Sequence, residues 1–121
     1  MAAGLDAFVK DLAQKGLLDR VLVITFSEFG RRVAENASAG TDHGAAAPMF
    51  LIGGSVTPGI HGAHPNLTDL DQGDLKFQVD FRGVYATVLE HWMGVGSESI
   101  LGDRFTALDV VRPRTAPPKA G

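Results

Sequence analysis

Five side chains that can bind a metal ion or an anion, Glu28, Arg31, Arg32, Asp42 and His43, fall within one stretch, TFSEFGRRVAENASAGTDHG, at residues 25 to 44. Glu28 offers a hard carboxylate oxygen and His43 a borderline imidazole nitrogen; Asp42 offers a further ligand or the acceptor that orients the histidine ring. Two or three such groups suit Zn²⁺, Mn²⁺ or Mg²⁺. Arg31 and Arg32 are forked donors matched to the oxygens of a phosphate or sulfate.

Each group also has a plainer reading. Asp-His-Gly in a Gly/Ala-rich loop is a common turn in which the Asp bonds nearby backbone, and a pair of arginines is commonly solvated or pins a neighbouring carboxylate such as Glu28. His61 and His64, in GIHGAHPN, have a spacing that can chelate metal on a turn, but they also read as exposed loop histidines. His91 sits beside Trp92 as a surface or boundary residue. Asp69, Asp71 and Asp74 miss the ligand order and closing Glu of a calcium loop and read as a solvated turn. Asn66-Leu67-Thr68 matches a glycosylation acceptor, a pattern of low specificity.

These residues must be positioned by the elements around them. Leu5, Phe8, Val9 and Leu12 share one helical stripe, and Gly16 stands where that helix stops. RVLVIT, residues 20 to 25, and MFLIGG, residues 49 to 54, are apolar without alternation, the habit of short strands buried on both faces in a parallel sheet. LKFQVD, residues 75 to 80, alternates and reads as a half-exposed strand or an extended approach to the next helix. That helix is the clearest element: Phe81, Val84, Tyr85, Val88, Leu89 and Trp92 line one face, with Asp80 as N-cap and Gly94 as stop. Residues 53 to 74 carry loop chemistry, and RPRTAPPKAG, residues 112 to 121, is a Pro-rich tail.

Composition narrows the partners. At 45% hydrophobic and 21% charged residues the chain has ordinary globular composition, and 121 residues make one folding unit the default. A net charge of −3, with no basic run beyond Arg31-Arg32, excludes the clustered basic surface that nucleic acid or an anionic membrane calls for. No apolar run approaches a membrane span. With no cysteine, neither disulfides nor thiolate chemistry is available.

Two strands apolar on both faces need neighbours at each edge and helices above and below. The expected fold class is therefore α/β, a partial, mostly parallel sheet flanked by helices. The alternative is a small α+β domain that covers its edges by dimerising. In either case the chain alone is expected to be aggregation-prone or a homo-oligomer through its open sheet edges.

The runs VLVITFSEFGRRVAENASAGTDHGAAAPMFLIGG and GDLKFQVDFRGVYATVLEHWMGV resemble the C-terminal part of the domain-of-unknown-function fifteen-oh-one family, bacterial proteins placed with the alkaline phosphatase and sulfatase superfamily. The resemblance covers roughly residues 5 to 108, and TFSEFGRR and GTDHG are its most specific segments. It implies that residues 1–111 form the C-terminal portion of an incomplete alkaline-phosphatase-like α/β domain. Family members are longer and often begin with a twin-arginine export signal, which implies export if the full-length protein carries one.

Superfamily members end a central strand in Thr-x-Asp-His, two metal ligands, and bind metal again through a later His before the next strand. Residues 37 to 41, ASAGT, cannot form a buried strand. The resemblance therefore sets VLVIT on the strand, Ser27 and Glu28 on the Asp-His positions, and His43 as the later His. Ser27 is a poor ligand unless deprotonated, so the implied site for a divalent metal (Zn, Mn, Mg or Ca) is altered, and Asp42 is available as the replacement carboxylate. The superfamily nucleophile has no counterpart here, so no catalytic residue is expected on this chain. The implied whole is a metal-dependent hydrolase of phosphate or sulfate esters, with Ser27, Glu28, Asp42 and His43 at the metal and Arg31 and Arg32 on the substrate. The alternative is a non-catalytic scaffold or binding domain that retains the fold.

Overall fold

The structure, a computed structural model, describes residues 2–114, so most of the Pro-rich tail, residues 115–121, lies outside the described residues. The first helix, α1, spans Ala2–Gln14, as its apolar stripe predicts. Two ion pairs brace its outer face, Lys10 to Asp6 at 2.7 Å and Lys15 to Asp11 at 2.8 Å, each with the acid one turn N-terminal to the base. It ends in a Schellman motif: Gly16 takes φ 66°, its N–H donates to Ala13 O, and the Leu17 N–H donates to Leu12 O. Of the stripe, Leu12 alone is fully buried, and Phe8 remains exposed.

The two apolar runs shrink to two-residue strands, β1 (Val23–Ile24) and β4 (Leu51–Ile52), and both are only half-buried. They pair antiparallel, Val23 opposite Ile52 and Ile24 opposite Leu51. This overturns the mostly parallel sheet expected from the sequence. The remaining strands also pair antiparallel: β2 (Gly30–Glu35) with β3 (Thr41–Gly44), and β5 (Leu70–Asp71) with β6 (Asp74–Leu75). The described residues thus form three two-stranded ribbons with no parallel pair among them. The reason lies in the connection. Parallel neighbours require a crossover, usually a helix, whereas the chain between β1 and β4 holds only the β2–β3 hairpin and returns antiparallel.

The strand expected at 75–80 survives only at its first residue. Leu75 belongs to β6, joined to β5 by a two-residue turn in which Gln72 and Gly73 have φ of 49° and 90°. The second helix follows as predicted. Asp80 caps α2 (Phe81–Thr87), accepting from the Arg82 N–H at 2.9 Å, and the helix continues as a π-helical turn over Val88–Trp92. The Met93 N–H donates five residues back to Val88 O, and Gly94 ends the helix at φ 69°. A short third helix, α3, spans Glu98–Leu101.

The core sits between α2 and the chain's last described segment. Its buried apolar residues are Val84 and Ala86 on α2 and Val110 and Val111 on that segment, with the buried polar side chains of Thr87 and Ser97; Leu12 of α1 is buried as well. Residues 110–112 lie against 55–57: Val56 bridges Val111, Thr57 N–H donates to Val110 O, and Arg112 N–H donates to Ser55 O. Thr87 ties helix to segment. Its Oγ1 donates to Gly83 O at 2.7 Å and accepts from the Leu108 N–H at 2.7 Å.

Candidate functional site

The stretch expected to be a long connection is an ordered hairpin. At its base Gly30 and Gly44 are cross-strand partners, and both must be glycine because the backbones close on them. A Cβ on Gly30 would run into the Ala46 carbonyl, and one on Gly44 would sit 2.8 Å from Arg31 C. At its tip Asn36 closes the turn: its Oδ1 accepts from Ser38 N–H at 3.0 Å and Gly40 N–H at 3.1 Å, and its Nδ2 donates to Asp42 Oδ1 at 3.0 Å. Ala39 takes φ 57° in that turn. Between the ends the register shifts, from Arg31 opposite His43 to Glu35 opposite Thr41, so β2 carries extra residues as a bulge.

This register sorts the expected residues onto two sides. Arg31 and His43 are cross-strand partners and therefore share a face. Phe29, two residues before Arg31, shares it too, and the His43 ring lies flat on the Phe29 ring, with centroids 3.6 Å apart and planes 9° from parallel. The Arg31 guanidinium stands 5.6 Å from the Phe29 centroid, and its Nη1 donates to Thr41 O at 2.8 Å. Arg32 turns the other way. Its Nε donates to Asp74 Oδ1 on β6 at 3.1 Å, a part-buried ion pair that docks the third ribbon onto the hairpin. One open depression on the hairpin is lined by Arg31, Arg32, Asn36, Thr41, Asp42 and His43.

Ser27 and Glu28 lie before the hairpin, both exposed. Ser27 Oγ donates to Phe29 O at 2.7 Å in a local turn, while Glu28 makes no side-chain hydrogen bond or ion pair among the described residues. A metal held by Ser27, Glu28, Asp42 and His43 would need their donor atoms within about 2.0–2.6 Å of one point. The residues do not fit that demand. Asp42 is engaged by Asn36, His43 is laid on Phe29, and among the described residues no three His, Asp or Glu side chains are grouped to hold a metal ion.

The other candidate groups are accounted for locally. His61 Nε2 and His64 Nδ1 each bond a neighbouring carbonyl, of Thr57 and Pro65, and both residues are exposed. His91 is a boundary residue whose Nδ1–H donates to Val111 O at 2.9 Å. Asp69 pairs with Lys76 and Asp74 with Arg32. A second cleft, beside Ser97, is lined by Glu90, Glu98 and Arg104 among others, and Ser97 Oγ donates to Glu90 Oε1 at 2.6 Å.

Residues 1–103 match the family described as Protein of unknown function (DUF1501). The chain belongs to that family. The DUF1501 match takes in the whole hairpin and both main helices, and the last core segment, residues 107–112, lies beyond it. No curated protein and no solved structure matches the chain. Among the described residues no helix is long and apolar enough to cross a membrane.

Two participants escaped the sequence reading. Phe29 is the platform under His43 and Arg31, and its signal was the two-residue spacing to Arg31 in an extended run. Asn36 builds the turn, and its signal was an Asn four residues ahead of a Gly between two polar extended segments.

Proposed function

We propose that this DUF1501 chain is the anion-recognising part of a hydrolase of phosphate or sulfate esters, with Arg31 as the contact to the ester's anionic group. One observation carries the reading: Arg31 and His43 stand side by side across the hairpin, on an open surface. The bond from Nη1 to Thr41 O holds the guanidinium in place and leaves its other N–H groups for a ligand. Such a fixed fork suits two oxygens of a tetrahedral anion, and the imidazole of His43 adds a further N–H beside it. Arg32 contributes indirectly, by fixing β2 to β6 through Asp74.

The side chains implied as metal ligands are not grouped among the described residues, and on this reading the chain supplies binding rather than the chemical step. The same fact favours a second reading, a binding domain without catalysis.

The test is titration of the chain with inorganic phosphate, sulfate and p-nitrophenyl phosphate, followed by calorimetry and by the NMR signals of the arginine side chains. Arg31→Ala is expected to weaken binding about 10- to 100-fold, the loss of one charge-assisted contact of about 1.5–3 kcal/mol. Arg32→Ala should cost far less affinity at matched temperature below its unfolding. Binding that is undetectable in the wild type, or indifferent to Arg31→Ala, would sink the proposal. Turnover of p-nitrophenyl phosphate decides between the two readings once the protein is assayed in its complete natural form.

A further inference from the structure

The His43 ring has two faces, and the hairpin uses one of them. Phe29 lies against that face, with ring centroids 3.6 Å apart and planes 9° from parallel. His43 is nonetheless exposed, and it lines the open depression on the hairpin while Phe29 does not. The depression therefore meets the imidazole on the side that Phe29 leaves uncovered. Its volume of about 580 Å³ falls within the range of small-molecule sites, about 300–1,000 Å³.

The ring and the neighbouring guanidinium are both held before a ligand arrives. Stacking on Phe29 fixes the plane of the imidazole, and the bond from Arg31 Nη1 to Thr41 O at 2.8 Å fixes the fork. Groups held in this way lose little freedom on binding. Arg31 and His43 are also directly opposite each other, a register that places Cβ atoms about 4.5–5.5 Å apart. One small molecule can engage both only if its anionic group is joined closely to its planar part. The other charged residues of the depression are already engaged, Arg32 by Asp74 and Asp42 by Asn36, which leaves Arg31 as the contact for the anion.

We infer that the ligand of this site is an aryl ester: its phosphate or sulfate sits on Arg31, and the aromatic ring bonded to the ester oxygen stacks on the open face of His43. The inference rests on the anion-binding reading above and adds to it the group that the anion carries. A flat ring gains over a saturated one because stacked aromatic faces attract beyond the area they bury, by an amount that corresponds to about 2- to 10-fold in affinity. An alkyl ester brings the same anion and no such face.

The test titrates the full chain with phenyl phosphate, cyclohexyl phosphate and inorganic phosphate at about pH 8, where both esters are dianions. Phenyl phosphate is expected to bind about 2- to 10-fold more tightly than cyclohexyl phosphate. The NMR signals of the His43 ring protons should move upfield with phenyl phosphate and not with the cyclohexyl ester. His43→Leu, which covers Phe29 without an aromatic face, should erase the preference; His43→Phe, which keeps a ring and removes the N–H groups, should retain it. Arg31-dependent binding of inorganic phosphate together with equal affinity for the two esters overturns the inference and leaves the anion-binding reading standing. A preference that survives His43→Leu places the aromatic ring elsewhere and overturns it equally. If none of the three ligands binds in an Arg31-dependent way, both fall.

Discussion

Removing the Thr87 hydroxyl while keeping its shape isolates the bond that joins α2 to the C-terminal core segment. Thr87 is wholly buried. In Thr87→Val the Gly83 carbonyl keeps its place in the helix ladder, but the Leu108 N–H, now 2.7 Å from Oγ1, loses its acceptor in a part-buried position. An unsatisfied donor of that kind costs about 1–2 kcal/mol, and the two β-branched side chains pack alike, so little offsets the loss. For a chain of this size that is a Tm lowered by about 4–8 °C. Thr87→Ser is the control: it keeps the hydroxyl and deletes one methyl, costing about 0.8 kcal/mol of burial. Urea and thermal unfolding should be compared at one fixed chain concentration, because association also shifts Tm. Amide exchange at Leu108 distinguishes the two losses, fast in the Val variant and near wild type in the Ser variant. If Thr87→Val matches the wild type in stability and in Leu108 exchange, the bond does not hold the segment to the helix.

Two further outcomes follow from caps and turns. Asn36→Ala removes both turn bonds and the link to Asp42, and should lower stability by about 1 kcal/mol and weaken phosphate binding several-fold by loosening the register of Arg31 and His43; unfolding and titration check both. Asp80 has its pKa held below the ordinary carboxylate range, first by the side-chain bond from Arg82 and then by the Arg82 backbone N–H. Its contribution is therefore present above the ordinary Asp range and fades as pH falls through the depressed value. Asp80→Asn should lower the urea midpoint at neutral pH, and the gap should close in acid; a gap independent of pH would mean that charge plays no part in this cap.

Both helices were legible because their signals are local. The stripe from Leu5 to Leu12 and the Gly16 stop specify α1, and Asp80 followed by Phe81, Val84, Tyr85 and Val88 specifies α2; each instruction acts within a turn or two. The direction of β1 and β4 was not legible. Apolar runs such as VLVIT and MFLI encode burial, and burial is blind to whether a partner runs parallel or antiparallel. What decides direction is the nature of the connection, and GRRVAENASAGTDHG lacks an apolar helical stripe. The alternation Phe29, Arg31, Val33 and the Asn36–Gly40 turn were the available hairpin signals, obscured because exposed ribbons have no apolar face to mark their period. The β5–β6 hairpin was hidden in the same way, its Gln-Gly turn lying among aspartates that read as a solvated loop.

The same topology changes what the 25 to 44 segment can do. A parallel crossover would make Glu28 and His43 the two ends of a loop and would leave Arg31 and Arg32 free in its middle, an arrangement suited to a metal at the strand ends. The hairpin instead fixes neighbours by register. His43 falls opposite Arg31 and on the ring of Phe29, while Asp42, one residue earlier, is engaged by Asn36 at the turn. The adjacent groups are engaged apart: Asp42 by Asn36 and His43 on the Phe29 ring, Arg31 by Thr41 O and Arg32 by Asp74 on β6. Arg31 with His43 is the pair that the fold does assemble, and a guanidinium beside an imidazole is a donor set for an anion rather than a ligand set for a cation.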